Sequence, residues 1–321
     1  MDELTPSAAV PEVSVVIGVY NGARDLHSTL RSVLSQVGVD FEVVVVDDGS
    51  TDDTPSILQE VARQDERLRV ITQPNAGLTN ALVRGCAAAR GRFIGRQDVG
   101  DRSLPGRLFE QLSALKVTGA AVLCVTGVRE FLADVACLAE IIPQRDREQF
   151  AHDLRERMTG VPAHGCVMFC RQAYTRVGGY RPAFYYAQDM DLWLRLAFAG
   201  DSLAVPQVLY EMDASVGGIS SSRSKLQGRF AGLAKLAHEH RQRGVSDSVV
   251  LAQAQRLTEE AKRQAASPPS RYVLAGALYR LAVRAAAVDA TISERYLDRS
   301  LRMCPLYWRS WALRLQRRIG V

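Results

Sequence analysis

Aspartates at three places carry most of the chemistry this sequence offers. Asp98 and Asp101 stand three apart in FIGRQDVGD, just after an apolar run, with Gly100 between them. Asp47 and Asp48 close the run FEVVVVD and open the turn DDGS, while Asp189 and Asp191 lie in QDMDLWLRL. Acids at the end of a buried strand commonly serve a metal ion or a phosphate. A divalent cation needs oxygen ligands, and Mg²⁺ keeps several waters while taking one or two carboxylates plus substrate phosphates. Each site also has a local alternative, because Asp and Ser favour Asx-turns and helix N-caps. On that reading Asp47 and Asp48 serve a turn, Asp101 caps a helix beginning near Leu104 and Pro105, and Asp189 caps the helix DLWLRLAF. Asp191 has Arg195 four residues on for an ion pair.

The elements that must position these acids follow a βαβ rhythm from Val13 to about Thr126. VSVVIGV, FEVVVVD, LRVIT, RFIGR and AAVLCVT are apolar runs of strand length. Between them ARDLHSTLRSVLSQ, TPSILQEVARQ, LTNALVRGCAAAR and LPGRLFEQLSALK have helical spacing. This predicts a largely parallel sheet buried on both faces, and such sheets bind ligands outside the carboxyl ends of their strands. The polar signals fall at those ends: Tyr20-Asn21-Gly22, Asp47 to Ser50, Gln73 to Gly77, and Gln97-Asp98. Residues 127–160 then show mixed charge and no clear strand, which reads as an insertion near the site, a lid or acceptor loop. The sheet is expected to resume as a strand over AHGCVMFC (163–170), followed by the helix DMDLWLRLAFAG and the run SLAVPQVLYEMD. From about Arg223 the chain reads as helical, with a break at Ser267 to Ser270 and stacked hairpins beyond it.

With 321 residues and 47% hydrophobic content the chain can bury one sizeable core and a second, smaller unit. Its six cysteines form no CxxC pair and read as buried free thiols of a reducing compartment. The acidic start MDELTPSAAVPEV lacks the pattern of a signal peptide, and no run approaches a membrane span, so a cytoplasmic protein is expected. The net charge is +5, and Arg309, Arg314, Arg317 and Arg318 cluster beside Trp308 and Trp311. That cluster suits either anionic lipid or a solvated helix face.

Taken in order, VSVVIGVYN, VVVDDGSTDDT, QPNAGLTNAL, ARGRFIGRQDVGDRS, HGCVMFCRQAYTRVGGYR and QDMDLWLRL resemble bacterial glycosyltransferases of family 2. The resemblance covers about Val13 to Asp213. It implies the GT-A fold: an α/β, mixed but mostly parallel sheet, here residues 13–222, behind a tail of residues 1–12 and before a helical region of residues 223–321. It further implies inverting transfer of a sugar from a nucleotide-sugar donor, usually UDP-linked, to a glycan, lipopolysaccharide or lipid-linked acceptor. Such an enzyme is expected in the cytoplasm or peripherally at the inner face of the membrane, with no nucleic acid partner.

By the same resemblance, Val19, Tyr20, Asp47, Asn75, Gly77, Asp98 and His164 match nucleotide-sugar contacts. Asp98 and Asp101 match ligands of Mg²⁺ or Mn²⁺, in a D-A-D-D motif whose second acid is replaced here by Gly100. Asp189 matches the general base, with Gln188 where an acid commonly precedes it. The polar run Ser220 to Lys225 suits either a wrap over the diphosphate or a plain linker. The losses at Gly100 and Gln188 leave open a second reading, a nucleotide-sugar-binding scaffold of the same fold with weak or no turnover.

Overall fold

The computed structural model describes residues 10–132, 136–143, 146–214, 223–265 and 267–318. The expected tail up to Ala9, and Ser220 to Ser222 of the polar run, lie outside the described residues. The described chain forms two compact units. One comprises residues up to Val128, Ile142–Pro182 and Gln188–Tyr210; the other comprises Arg129–Ile141, Ala183–Ala187 and Glu211 onward.

The first unit begins with the anticipated alternation: β1 (Val13–Val19), α1 (Ala23–Leu34), β2 (Phe41–Asp47), α2 (Thr54–Gln64), β3 (Leu68–Thr72), α3 (Leu78–Ala88) and β4 (Phe93–Arg96). Continuous Val and Ile make strands that can be buried on both faces, and β1 and β2 are buried almost throughout. Pro55 presets the first turn of α2. β5 (Arg102–Ser103), α4 (Arg107–Thr118), β6 (Ala121–Leu132) and, in the second unit, β7 (Ala136–Ile141) follow. After α5 (Arg147–His152) come β8 (Val167–Cys170), α6 (Arg171–Arg176), α7 (Gln188–Ala199) and β9 (Asp201–Asp213).

The strand order is β3-β2-β1-β4-β8-β6-β9-β5. β1 to β4 are mutually parallel, whereas β8 runs antiparallel to β4 and β6, so the sheet is mixed. Register decides what meets at the rim. Val19 lies level with Asp47 and Asp47 with Thr72, while β4 ends at Arg96, level with Val16. The core beneath is built from Val13, Val15, Ile17, Val43, Val45, Leu26, Leu30, Leu108 and Met168, all buried.

Three local expectations are corrected. Residues 127–160 are not strandless: β6 runs on to Leu132 and β7 follows, before α5 and a π-helical turn at Asp153–Arg157. The strand expected over residues 163–170 begins only at Val167, because His164–Cys166 wind into a 3-10 turn. The helix expected from Leu104 begins at Arg107, after Gly106 takes a left-handed φ of 83°.

In the second unit β7 pairs with β6, whose last residues belong to that unit. Among the described residues five helices follow: α8 (Ser224–Gln242), α9 (Ser248–Ala265), α10 (Arg271–Ala285), α11 (Ala290–Met303) and α12 (Trp308–Arg318). Asp289 caps α11 by accepting from the backbone N–H of Thr291 and Ile292, and Ser270 caps α10. Leu278, Leu281, Ile292, Tyr296 and Leu297 form a core with Leu132.

Candidate active site

The loops leaving β1, β2 and β3 are laced together by polar groups. Asp48 is buried and fully engaged: Oδ1 accepts from Gln73 Nε2 (2.7 Å) and Ala76 N (2.9 Å), and Oδ2 from Gly77 N (2.8 Å). It therefore shapes the QPNAG loop. Asp47, also buried, braces the turn after β2 by accepting from Ser50 N at 3.0 Å, and its Oδ2 has no partner among the described residues. Asn21 Oδ1 accepts from Thr51 N (2.8 Å), Asn21 N donates to Ser50 Oγ (2.9 Å), and Ala23 N donates to Asp52 Oδ2 (3.1 Å). Val19 is buried beneath this lacing, while Tyr20 (53% exposed) and Asn75 face solvent. Gly49 fits where little else would. Its φ is 76°, and a Cβ there would come within 2.8 Å of Asn75 N.

At the end of β4 a buried arginine organises the acid beyond it. Arg96, with no solvent exposure, donates Nη2–H to Asp98 Oδ1 (2.8 Å), Nη1–H to the carbonyl of Val16, and Nε–H to His164 Nε2 (3.2 Å). Tyr180 Oη lies 2.8 Å from the same His164 nitrogen. Because a guanidinium only donates, His164 Nε2 must accept, which puts the imidazole proton on Nδ1, 3.6 Å from Asp98 Oδ2. Burial lowers the imidazole pKa and Arg96 lowers it further, while Asp98 and Asp189 pull the other way. The ring is thus held neutral at neutral pH. The Asp98 side chain retains 30% exposure.

Asp101 faces inward. Its Oδ2 accepts from Tyr210 Oη at 2.8 Å, and the same phenol oxygen accepts from Asp98 N at 3.2 Å. Burial and the neighbouring Asp101 charge raise the Tyr210 phenol well above its ordinary range, so it remains a donor. Arg107, also buried, donates to Gln97 Oε1 (3.1 Å), Arg96 O (2.7 Å) and Gly165 O (2.6 Å). Gly100, between the two acids, donates its N–H to Thr29 Oγ1 (3.0 Å) at a φ of 98° with open space where a Cβ would stand. Backbone conformation is what this turn asks of residue 100.

Asp189 opens α7, half-buried, with Oδ1 accepting from Met190 N at 2.8 Å. Its charge is felt at His164 and Tyr180, so it belongs to the same electrostatic neighbourhood. Asp191 is fully buried between Arg181 (Nε, 2.9 Å) and Arg195 (Nη2, 2.7 Å), a structural ion pair. Trp193, beneath His164 at a ring separation of 6.0 Å, is core.

Among the described residues no group of three or more His, Cys, Asp or Glu is arranged to hold a metal ion. Asp98 fits a cation shared with phosphates, since it is the partly exposed carboxylate of this turn and one or two carboxylates suffice when phosphates complete the shell. Sequence reasoning did not single out Arg96, Tyr180 or Tyr210. The available signal was a charged residue closing the apolar strand RFIGR.

The mixed sheet, parallel over β1 to β4 and continued by antiparallel strands, has the GT-A fold of solved glycosyltransferases. The sequence model of "Glycosyl transferase family 2" matches residues 14–178, and the chain belongs to that family. The chain is 33% identical over 190 residues to "Putative glycosyltransferase EpsE" of Bacillus subtilis, covering 58% of this chain and 66% of that one. It spans no more than about two thirds of the curated relatives it matches. Among solved structures it is similar to a mannosyltransferase of Pyrobaculum calidifontis in complex with GDP-Man and Mn²⁺ (TM-score 0.55, 17% identity, 96% of this chain and 87% of that one). It is equally similar to S. aureus TarS 1-349 in complex with UDP-GlcNAc (TM-score 0.55, 15% identity, 96% and 92%).

Proposed function

We propose that this glycosyltransferase moves a sugar from a UDP-linked donor to a hydroxyl of a glycan or lipid-linked glycan, with inversion, at the cytoplasmic face of the membrane. The observation that carries the reading is the convergence of the loops after β1, β2, β3 and β4 on one rim, where Asp98 is a partly exposed carboxylate held by buried partners. The nucleotide lies against Val19, Tyr20, Asp47, Asn75 and Gly77, with Asp47 Oδ2 accepting from the base or ribose. Complexes of similar structures with UDP-GlcNAc and GDP-Man support a nucleotide sugar there.

Asp189 takes the proton of the acceptor hydroxyl as its oxygen bonds to the anomeric carbon. The bond to the diphosphate breaks on the opposite side, and the nucleoside diphosphate leaves with the electron pair. Asp98, held by Arg96, would carry Mg²⁺ or Mn²⁺ together with the donor phosphates, with Asp101 behind it and His164 Nδ1 3.6 Å from Asp98 Oδ2. A divalent cation bound there would offset the charge developing on the leaving group.

Calorimetry should find UDP binding that Mn²⁺ strengthens, and Asp98→Ala should lose only the Mn²⁺-dependent part. Asp189→Asn keeps size and capping ability but removes the proton acceptor. Turnover should fall about 10²–10⁴-fold with UDP affinity and melting temperature unchanged. Near-normal transfer by Asp189→Asn would remove it as the base. Gly100 and Gln188, standing where acids are usual, favour one other reading, a nucleotide-sugar-binding scaffold. Slow release of free sugar from the donor without acceptor marks the enzyme; binding with no release marks the scaffold.

A further inference from the structure

The charge of the chain is divided unevenly. Residues 224–321 hold eighteen Lys and Arg against seven Asp and Glu, a net of +11, so with a total of +5 the preceding residues carry −6. Within this basic region α12 is oriented the wrong way round for a helix that merely covers a core. Trp308, Trp311 and Leu315, spaced three and four apart and so sharing one face, are 62, 52 and 61% exposed, and Leu306 just before them is 86% exposed.

The other face is already engaged. Ser310 is buried with its hydroxyl 2.8 Å from that of Ser300. Arg314 pairs with Asp298, and Arg317 donates to Glu294 Oε1 (2.9 Å) and Ser293 Oγ (2.8 Å). Both acids of α11 are thereby occupied, whereas Arg295, Arg299, Arg302 and Arg309 are exposed. Trp311 donates its indole N–H to Pro305 O at 2.8 Å, so the donor of that ring is satisfied within the protein.

We propose that this face of α12 docks on an anionic lipid surface, with Trp308, Trp311 and Leu315 entering the boundary between headgroups and acyl chains and the exposed arginines of α11 and α12 meeting phosphate headgroups. Indole rings favour that boundary, and exposed cations beside an apolar helix face are the pattern of interfacial binding. A stable protein partner would need roughly 800 Å² and about 20–30 residues a side, far more than a stripe of four side chains offers. The inference is independent of the donor site, whose residues belong to the other compact unit.

The test is co-sedimentation of the full chain with phosphatidylcholine vesicles, with and without phosphatidylglycerol, at low and high salt. Binding is expected only to the anionic vesicles, to weaken with salt, and to fall about tenfold or more in a Trp308→Ser, Trp311→Ser double variant. Tryptophan emission of the unaltered protein should shift to the blue on anionic vesicles. Equal binding by the double variant, no binding to anionic vesicles, or a concentration-dependent dimer abolished by the double variant would each overturn the proposal. UDP calorimetry on the same variant should be unchanged, so that a failure of docking and a failure of the transferase reading are told apart.

Discussion

At the scale of single residues the site turns on a buried arginine. Arg96 reaches Asp98, His164 and the Val16 carbonyl at once, fixing both the direction of the carboxylate and the tautomer of the imidazole. This has a consequence for pH. Burial depresses the His164 pKa below its ordinary 6.5, so the unfolded chain binds a proton that the folded one resists. The stability that neutral His164 contributes is fully present above about pH 6.5 and is lost as the pH falls toward its lower folded value. Thermal melts from pH 8 down to about 5 should show the advantage of the wild type over His164→Gln shrinking below about pH 6.5. A constant difference across that range would count against a buried neutral imidazole. Of these residues, Asp98 and His164 were legible as site candidates. Arg96 was not, because a charge closing an apolar strand looks the same whether it faces water or a buried carboxylate.

At the scale of elements the rim depends on loops fitting one another. Gly49, in the turn after β2, packs against the backbone of Asn75 after β3. Gly49→Ala would force a side chain into a left-handed φ and against a backbone nitrogen, at a cost of about 1–3 kcal/mol. A lower melting temperature with weakened UDP binding is expected; unchanged UDP affinity would detach this turn from the site. The strands misread from sequence have a different cause. In β6 and β7 the charges pair across strands, Arg129 with Glu140 (2.8 Å) and with Glu211 of β9 (3.2 Å). Charged residues placed within these strands break up the apolar run by which a strand stands out from a loop. The 3-10 turn at His164 was hidden for the opposite reason, since its apolar neighbours continue into β8.

At the scale of the whole molecule, burial predicts chemistry as well as stability. Cys86, Cys124 and Cys166 are buried free thiols, and burial pushes Cys86 and Cys166 up to about 12 and Cys124 up as well, so none offers a thiolate in the native state. Cys137 is exposed. A native labelling time course should modify Cys137 rapidly and reach the other three only on unfolding; rapid labelling of all four would contradict the packing of the first unit. By itself the sequence determined the βαβ alternation, the turns at the strand ends and the helical C-terminal region. Apolar period, β-branching, glycine and proline act over a few residues and need no partner. Only the tertiary structure decided that Asp48 would shape a loop, that Asp101 would face Tyr210, and that Asp98 would stay partly open beside Arg96 and His164. The partners that settle those roles lie as far as 68 and 109 residues away along the chain, and which oxygen of a carboxylate remains available depends on where such distant donors come to rest.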